Sequence, residues 1–179
     1  MLTDDLDVKI ASDKPSVDVR RNKSTPVQDS SVSSEQIEGA KKIGKIVAES
    51  FIRDAKTEVD EEFRDYGMIL QRRLLLSFTA TAGFEQYILD DTLVGIAQKS
   101  FLDTLNKHST ELYKTSSDTG AFSFYYLAFR RGSEVERRIG QTFAMLCLHD
   151  GDPIFQELGE ALYCWFSSVV RKAVNENLV

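Results

Sequence analysis

The hydrophobic positions from residue 33 onward repeat with the period of an α-helix. Ser33 and Gln36 have the spacing of a capping box, and the apolar positions over residues 37–51 recur three or four residues apart. A shifted apolar stripe continues to Leu70, with Gly67 as a candidate break. The pattern predicts one long amphipathic first helix, which needs a partner along its length that another chain could supply.

The middle of the chain, residues 68–106, predicts one or two buried helices. Residues 79–83, with the sequence TATAG, predict a turn between them. Asp90 has the side chain and the position of an N-cap for a helix that ends near residue 106. A short helix over about 110–114 and a loop follow it.

Start and stop signals are clearer in the last third of the chain. An aromatic-rich helix over residues 121–131 is predicted to stop at Gly132. The next helix is predicted to begin with a Ser-x-x-Glu capping box at Ser133. Asp152 as N-cap and Pro153 in the first turn predict the final helix.

Residues 1–34 differ from the rest of the chain. They hold two of the three prolines, many serines and threonines, and no aromatic residue. Leu6, Val8 and Ile10 alternate with polar residues, which is the period of a strand or loose hairpin that could form against a partner. We predict a flexible tail over residues 1–34 and a single all-helical domain over 35–179. The predicted fold class is all-α, a helical bundle of about six to seven helices.

Charge and composition exclude several classes of protein. The chain has 22 basic and 28 acidic residues, so its net charge of -6 argues against nucleic acid as a partner. No stretch reaches the roughly 20 apolar residues of a membrane-spanning helix, so no transmembrane segment is expected. Cys147 and Cys164 lie in apolar runs without metal-binding spacing, which predicts buried thiols. With no secretory leader visible, we expect a cytoplasmic protein.

An arginine-rich turn is the first candidate contact site. If its side chains converge beside the start of the following helix, they would suit a phosphate, a carboxylate or a protein partner. The alternative is that each arginine ends a helix or pairs with a nearby glutamate. The four residues are Arg130, Arg131, Arg137 and Arg138.

An unusual density of aromatic residues is the second candidate. Aromatic side chains at helical spacing form core, a ligand pocket or a patch for a partner. Residues 122–129 are apolar almost all round, so we expect this helix to be covered on most sides, in part by a second subunit. The candidate patch comprises Phe122, Tyr125, Tyr126, Phe129 and Trp165.

Two short histidine segments form the third candidate. His108-Ser109 and His149-Asp150 together resemble a fragment of the HD-domain metal-dependent phosphohydrolases, which are all-helical. The resemblance implies that His108, His149 and Asp150 share a divalent ion that activates water. The family also uses a distant carboxy-terminal Asp, whereas the only Asp after Asp150 here is Asp152.

Most catalytic motifs are absent from the sequence. There is no glycine-rich phosphate loop, no GxSxG elbow and no Glu-x-x-His pair. Our leading hypothesis is a non-enzymatic helical protein–protein interaction module that forms a homo-oligomer or a subunit of an assembly, with no cofactor or metal. The alternatives are a helical ligand-binding sensor with an aromatic pocket and a metal-dependent HD-like phosphohydrolase.

Overall fold

The computed structural model describes residues 32–57 and 66–178. Over those residues the chain forms seven α-helices and no strand, which confirms the all-α prediction. The predicted tail up to residue 31, including the alternating segment at Leu6, lies outside the described residues. The helices are α1 (Ser34–Thr57), α2 (Tyr66–Tyr87), α3 (Asp91–His108), α4 (Thr110–Ser117), α5 (Ser123–Phe129), α6 (Val135–Leu146) and α7 (Pro153–Asn177), with a 3₁₀ helix (Thr119–Phe122) before α5.

Three helices begin with the caps that the sequence predicts. The backbone N–H of Ser33 donates to Gln36 Oε1 at 3.0 Å, and the N–H of Gln36 donates to Ser33 Oγ at 3.2 Å. The carboxylates of Asp90 and Asp152 accept hydrogen bonds from backbone N–H groups in the first turns of α3 and α7. Each cap satisfies donors that have no partner inside the helix.

The first helix is long, but the prediction that it continues to Leu70 is wrong. A continuous helix would separate Asp54 and Arg72 by about 27 Å along its axis. Instead, Arg72 Nη2 lies 2.6 Å from Asp54 Oδ1, and Arg72 Nε donates to Asp54 Oδ2 at 3.1 Å. α1 and α2 are therefore separate helices joined by this ion pair. Most of the stripe predicted between them, residues 58–65, lies outside the described residues.

The partner of α1 is α3 of the same chain. Gly44 lies directly against the backbone of Ala97 and Phe101, so the two helices approach closely at this point. Ser100 Oγ donates to the carbonyl of Lys41 at 2.7 Å beside this crossing. The apolar stripe of α1 is thus covered within the chain, without a second copy.

α2 is buried along its middle, and it runs through the segment predicted as a turn. The Thr79 hydroxyl donates a hydrogen bond to the carbonyl of Leu75 at 2.8 Å, and the Thr81 hydroxyl donates one to the carbonyl of Ser77 at 3.1 Å. These bonds satisfy the hydroxyls, so both threonines are compatible with the helix that α2 forms at residues 79–83. The predicted turn is therefore wrong.

α7, with 25 residues, is the longest of the helices as far as the structure describes them, and it packs against α1, α2 and α6. Its inner face is apolar, and the Phe166 ring lies 6.1 Å from the Phe51 ring of α1. None of the described helices is long and apolar enough to span a membrane. The buried residues of α7 are Gly159, Leu162, Tyr163, Phe166, Val170, Ala173 and Val174.

The helix predicted over residues 121–131 is α5, which ends at Phe129, three residues before the predicted stop at Gly132. The predicted capping box at Ser133 does not form. Gly132 has a φ of 83°, and the N-cap of α6 is Glu134, in the left-handed region with a φ of 52°. The carbonyl and hydroxyl of Ser133 instead accept hydrogen bonds from the guanidinium of Arg138. The Arg138 side chain, five residues further along the chain, thus binds Ser133 in place of the predicted cap.

Candidate functional site

Four of the five candidate aromatic residues pack around Phe78, in the middle of α2. Phe122 and Tyr125 are fully buried, and Tyr126 and Phe129 are half-buried. Because Phe78 fills the space between these rings, they form core and do not line a pocket. The ring centroids of Phe122, Tyr125, Tyr126 and Phe129 lie 6.1, 5.4, 5.1 and 6.1 Å from that of Phe78. Trp165 lies apart from them, on α7.

The Tyr125 hydroxyl is the exception within this core. It is buried and has no hydrogen-bond partner among the described residues. Burial, and to a lesser degree Cys147, raise the pKa of Tyr125 far above its ordinary value, so the group stays neutral. A buried hydroxyl without a partner costs stability.

Replacing Tyr125 with phenylalanine is expected to raise the free energy of unfolding by about 1 kcal/mol, because the uncompensated hydroxyl is removed. Urea denaturation followed by circular dichroism measures the change. Tyr126→Phe is the matched control, because the Tyr126 hydroxyl donates to Glu85 Oε1 and its loss should bring no gain. A less stable Tyr125→Phe variant would show that the hydroxyl does have a partner.

The four candidate arginines flank the α5–α6 turn, but three of them are engaged within the chain. The guanidinium of Arg130 lies over the Tyr126 ring, 5.6 Å from its centroid. Arg137 Nη1 lies 3.5 Å from Glu134 Oε1, and the Arg138 guanidinium donates to the carbonyl of Ser133 in the turn. Arg131 is exposed. The contacts match the predicted alternative, in which these arginines serve helix ends and local pairs.

The candidate metal ligands do not come together. His149 stacks on Phe155, with ring centroids 3.7 Å apart, and His108 is the last residue of α3. Within the described ranges, no three His, Cys, Asp or Glu side chains are grouped so that they could hold one ion. The geometry gives the HD-like phosphohydrolase alternative no support.

The two cysteines differ in exposure. Cys147 is buried, as predicted, whereas Cys164 is exposed and the prediction for it is wrong. The reason is that Cys164 lies on the side of α7 that faces away from the core, although its neighbours Tyr163 and Phe166 are buried. Partial desolvation, with smaller contributions from Glu136 and Glu160, raises the pKa of the Cys164 thiol.

The exposed large hydrophobic side chains are concentrated in one part of the sequence. Of the seven such residues in the described ranges, six lie on or beside α5, α6 and α7. Within the chain α5 is not covered on all sides, because two of its large apolar residues are more than half exposed, and its cover by a second subunit stays a prediction. The six are Phe124 (53%), Leu127 (59%), Met145 (39%), Leu148 (92%), Ile154 (73%) and Trp165 (43%).

One continuous exposed surface runs the length of α7, and we call it the outer stripe. Its members recur at alternating spacings of three and four residues, and all are exposed. This spacing is the one by which two helices pair along their length. Trp165 lies beside the middle of this surface. The outer stripe consists of Ile154, Glu157, Ala161, Cys164, Ser168, Arg171 and Asn175.

Comparisons with known proteins give no assignment. No protein-family model, no curated protein and no solved structure matches this chain. A function for this chain must therefore be argued from the side chains of the described residues.

Proposed function

We propose that this protein is a non-enzymatic helical interaction module that works by binding protein, in the first place a second copy of itself. The observation that carries the proposal is that six large hydrophobic side chains between Phe124 and Trp165 are exposed, on or beside three helices of which α6 packs against both α5 and α7. Exposed apolar residues scattered singly need no explanation, whereas grouped ones are typical of surfaces that bind protein. A subunit of a larger assembly would use the same surface.

The surface proposed for association differs from the one that the sequence suggested. α1 is covered by α3, so the long first helix offers no free apolar stripe. α7 keeps its outer stripe exposed over a length of about 32 Å. A helix of this length, with a half-exposed tryptophan beside its middle, is long enough for helix pairing along several turns.

The sensor alternative receives less support from the geometry. Two open grooves of about 930 and 900 Å³ lie along α1 and α3, and none of the five candidate aromatic residues lines either groove. Phe78 occupies the space between the other four rings. A cytoplasmic location remains part of the proposal.

Sedimentation velocity of the full chain at micromolar concentration tests the proposal. We expect a species of twice the 20.2 kDa chain mass, which dissociates on dilution. Trp165 is the only tryptophan, so its emission reports on the proposed surface and should shift to longer wavelength as dilution exposes the ring. A monomer throughout the micromolar range would overturn the proposal.

A further inference from the structure

The two charged residues of the outer stripe lie symmetrically about its centre. Glu157 is seven residues before Cys164, and Arg171 is seven residues after it. Both side chains are exposed, and no ion pair joins either of them to another described residue. Seven residues are close to two helical turns, so the two charges and the thiol share one side of α7.

This symmetry favours one orientation for a pair of α7 helices. In a parallel pair, each Glu157 would face the other Glu157, and each Arg171 the other Arg171, which is repulsive at both ends. In an antiparallel pair centred on Cys164, Glu157 of each copy faces Arg171 of the other. The antiparallel pair thus gains two ion pairs and avoids both repulsions.

The centre of the outer stripe fits the same arrangement. Ala161, Cys164 and Ser168 are small, so two backbones can approach closely there. In the antiparallel register, Ala161 of one copy lies near Ser168 of the other, and no large side chain obstructs the crossing. Trp165 lies beside the crossing, where an apolar ring loses exposed area as the helices pair.

We propose that two copies of this chain associate through the outer stripe of α7 in antiparallel orientation, with Cys164 of both copies at the two-fold axis. The arrangement is isologous, because the same surface serves on both copies. The inference rests on the proposed function and adds the surface, the orientation and the axis.

Charge reversal at the two ends of the outer stripe tests the orientation. Glu157→Arg alone and Arg171→Glu alone each place like charges opposite one another at both ends. We expect each variant to weaken self-association by roughly tenfold or more in sedimentation experiments at low salt. Asp103→Arg on α3 carries the same change of charge as Glu157→Arg away from the stripe, and it should leave the dissociation constant unchanged.

Mixing the two single variants tests whether the introduced charges cause the loss of association. The orientation itself is read from the single variants, because a parallel pair has like charges at both ends before and after either reversal and would not be weakened. A pair made of one Glu157→Arg chain and one Arg171→Glu chain has opposite charges at both ends, so the mixture should recover association that neither variant shows alone. A variant that merely fails to fold would not be rescued by mixing. If the mixture associates no better than its components, the antiparallel register is wrong.

Oxidative cross-linking tests the position of the axis. Diamide takes up the two hydrogen atoms of two thiols and is reduced to the hydrazine, while a disulfide forms between the two sulfur atoms. We expect a covalent dimer within minutes from the wild-type chain and from Cys147→Ser, and none from Cys164→Ser. The reaction should be faster at pH 8.5 than at pH 7, because only the thiolate is nucleophilic.

The outcomes separate the two proposals. A dimer in sedimentation that yields no Cys164 cross-link and ignores both charge reversals would overturn the α7 arrangement and leave self-association in place. Loss of the dimer on Phe124→Ser or Leu127→Ser alone, with the α7 variants unaffected, would assign the interface to α5. A chain that stays monomeric under all conditions would overturn both proposals.

Discussion

Replacing Phe78 with alanine is expected to lower the free energy of unfolding by about 3–5 kcal/mol, the largest effect of any substitution considered. The Phe78 ring is fully buried in α2, and four aromatic rings from α5 and the preceding 3₁₀ helix surround it. Removing it leaves a cavity that these large rings cannot fill by small movements. Urea denaturation followed by far-ultraviolet circular dichroism measures the loss.

Phe124→Ala is the matched control for Phe78→Ala. It removes the same side chain from α5, but that ring is 53% exposed, so its loss should cost under about 1 kcal/mol. Both variants are compared at a concentration below that of association, so that only folding is measured. If the two variants lost equal free energy of unfolding, the aromatic residues around Phe78 would not be the core of this part of the fold.

The sequence was informative wherever a helix end depends on nearby residues. The cap at Ser33, the Asp90 cap and the Asp152-Pro153 start all form as predicted. In each case the side chain bonds backbone groups two or three residues away, so the whole interaction is visible in a short window. The all-α fold class follows from the same local signals together with the helical apolar spacing.

The errors lie where a short stretch of sequence is compatible with more than one local structure. Thr79 and Thr81 signal a turn in isolation, but a buried helix satisfies their hydroxyls with its own carbonyls. Arg72 reaches Asp54 across the end of α1, which no helical periodicity could indicate. Arg138, five residues further along, donates to the Ser133 hydroxyl that a capping box would have used. Only the Asp54–Arg72 pair joins distant parts of the chain; at the other two places the hydrogen bonds that form are local, between residues four or five apart.

At the candidate sites, too, the sequence identified segments of the chain, but only the packing shows which side chains are buried. The sequence identified the aromatic-rich segment, but it could not tell that Phe122 and Tyr125 face Phe78 whereas Phe124 faces solvent. The outer stripe of α7 contains mostly small and polar residues, so its composition gave no signal. Its three- and four-residue spacing was present in the sequence, but only the packing of α7 shows which side of the helix stays uncovered.

Replacing Gly44 with alanine is expected to lower the free energy of unfolding by about 2–3 kcal/mol, although alanine is the better helix former. A Cβ at this position would overlap the carbonyl oxygen of Ala97 and the backbone nitrogen of Phe101. Backbone atoms cannot rotate away as a flexible side chain could, so α1 and α3 must separate. Separation would also loosen the stacked rings of Phe51 and Phe101, which lie 6.3 Å apart at this interface.

Gly95→Ala makes the same chemical change on α3 where nothing lies within 4 Å of the new Cβ. Gly95 is exposed in the middle of a helix, so alanine there should raise the free energy of unfolding by about 0.5–1 kcal/mol. The two substitutions are therefore expected to shift the thermal midpoint in opposite directions. If Gly44→Ala proved as stabilising as Gly95→Ala, the close crossing of α1 and α3 would be refuted, and α1 would again need a partner from outside the chain.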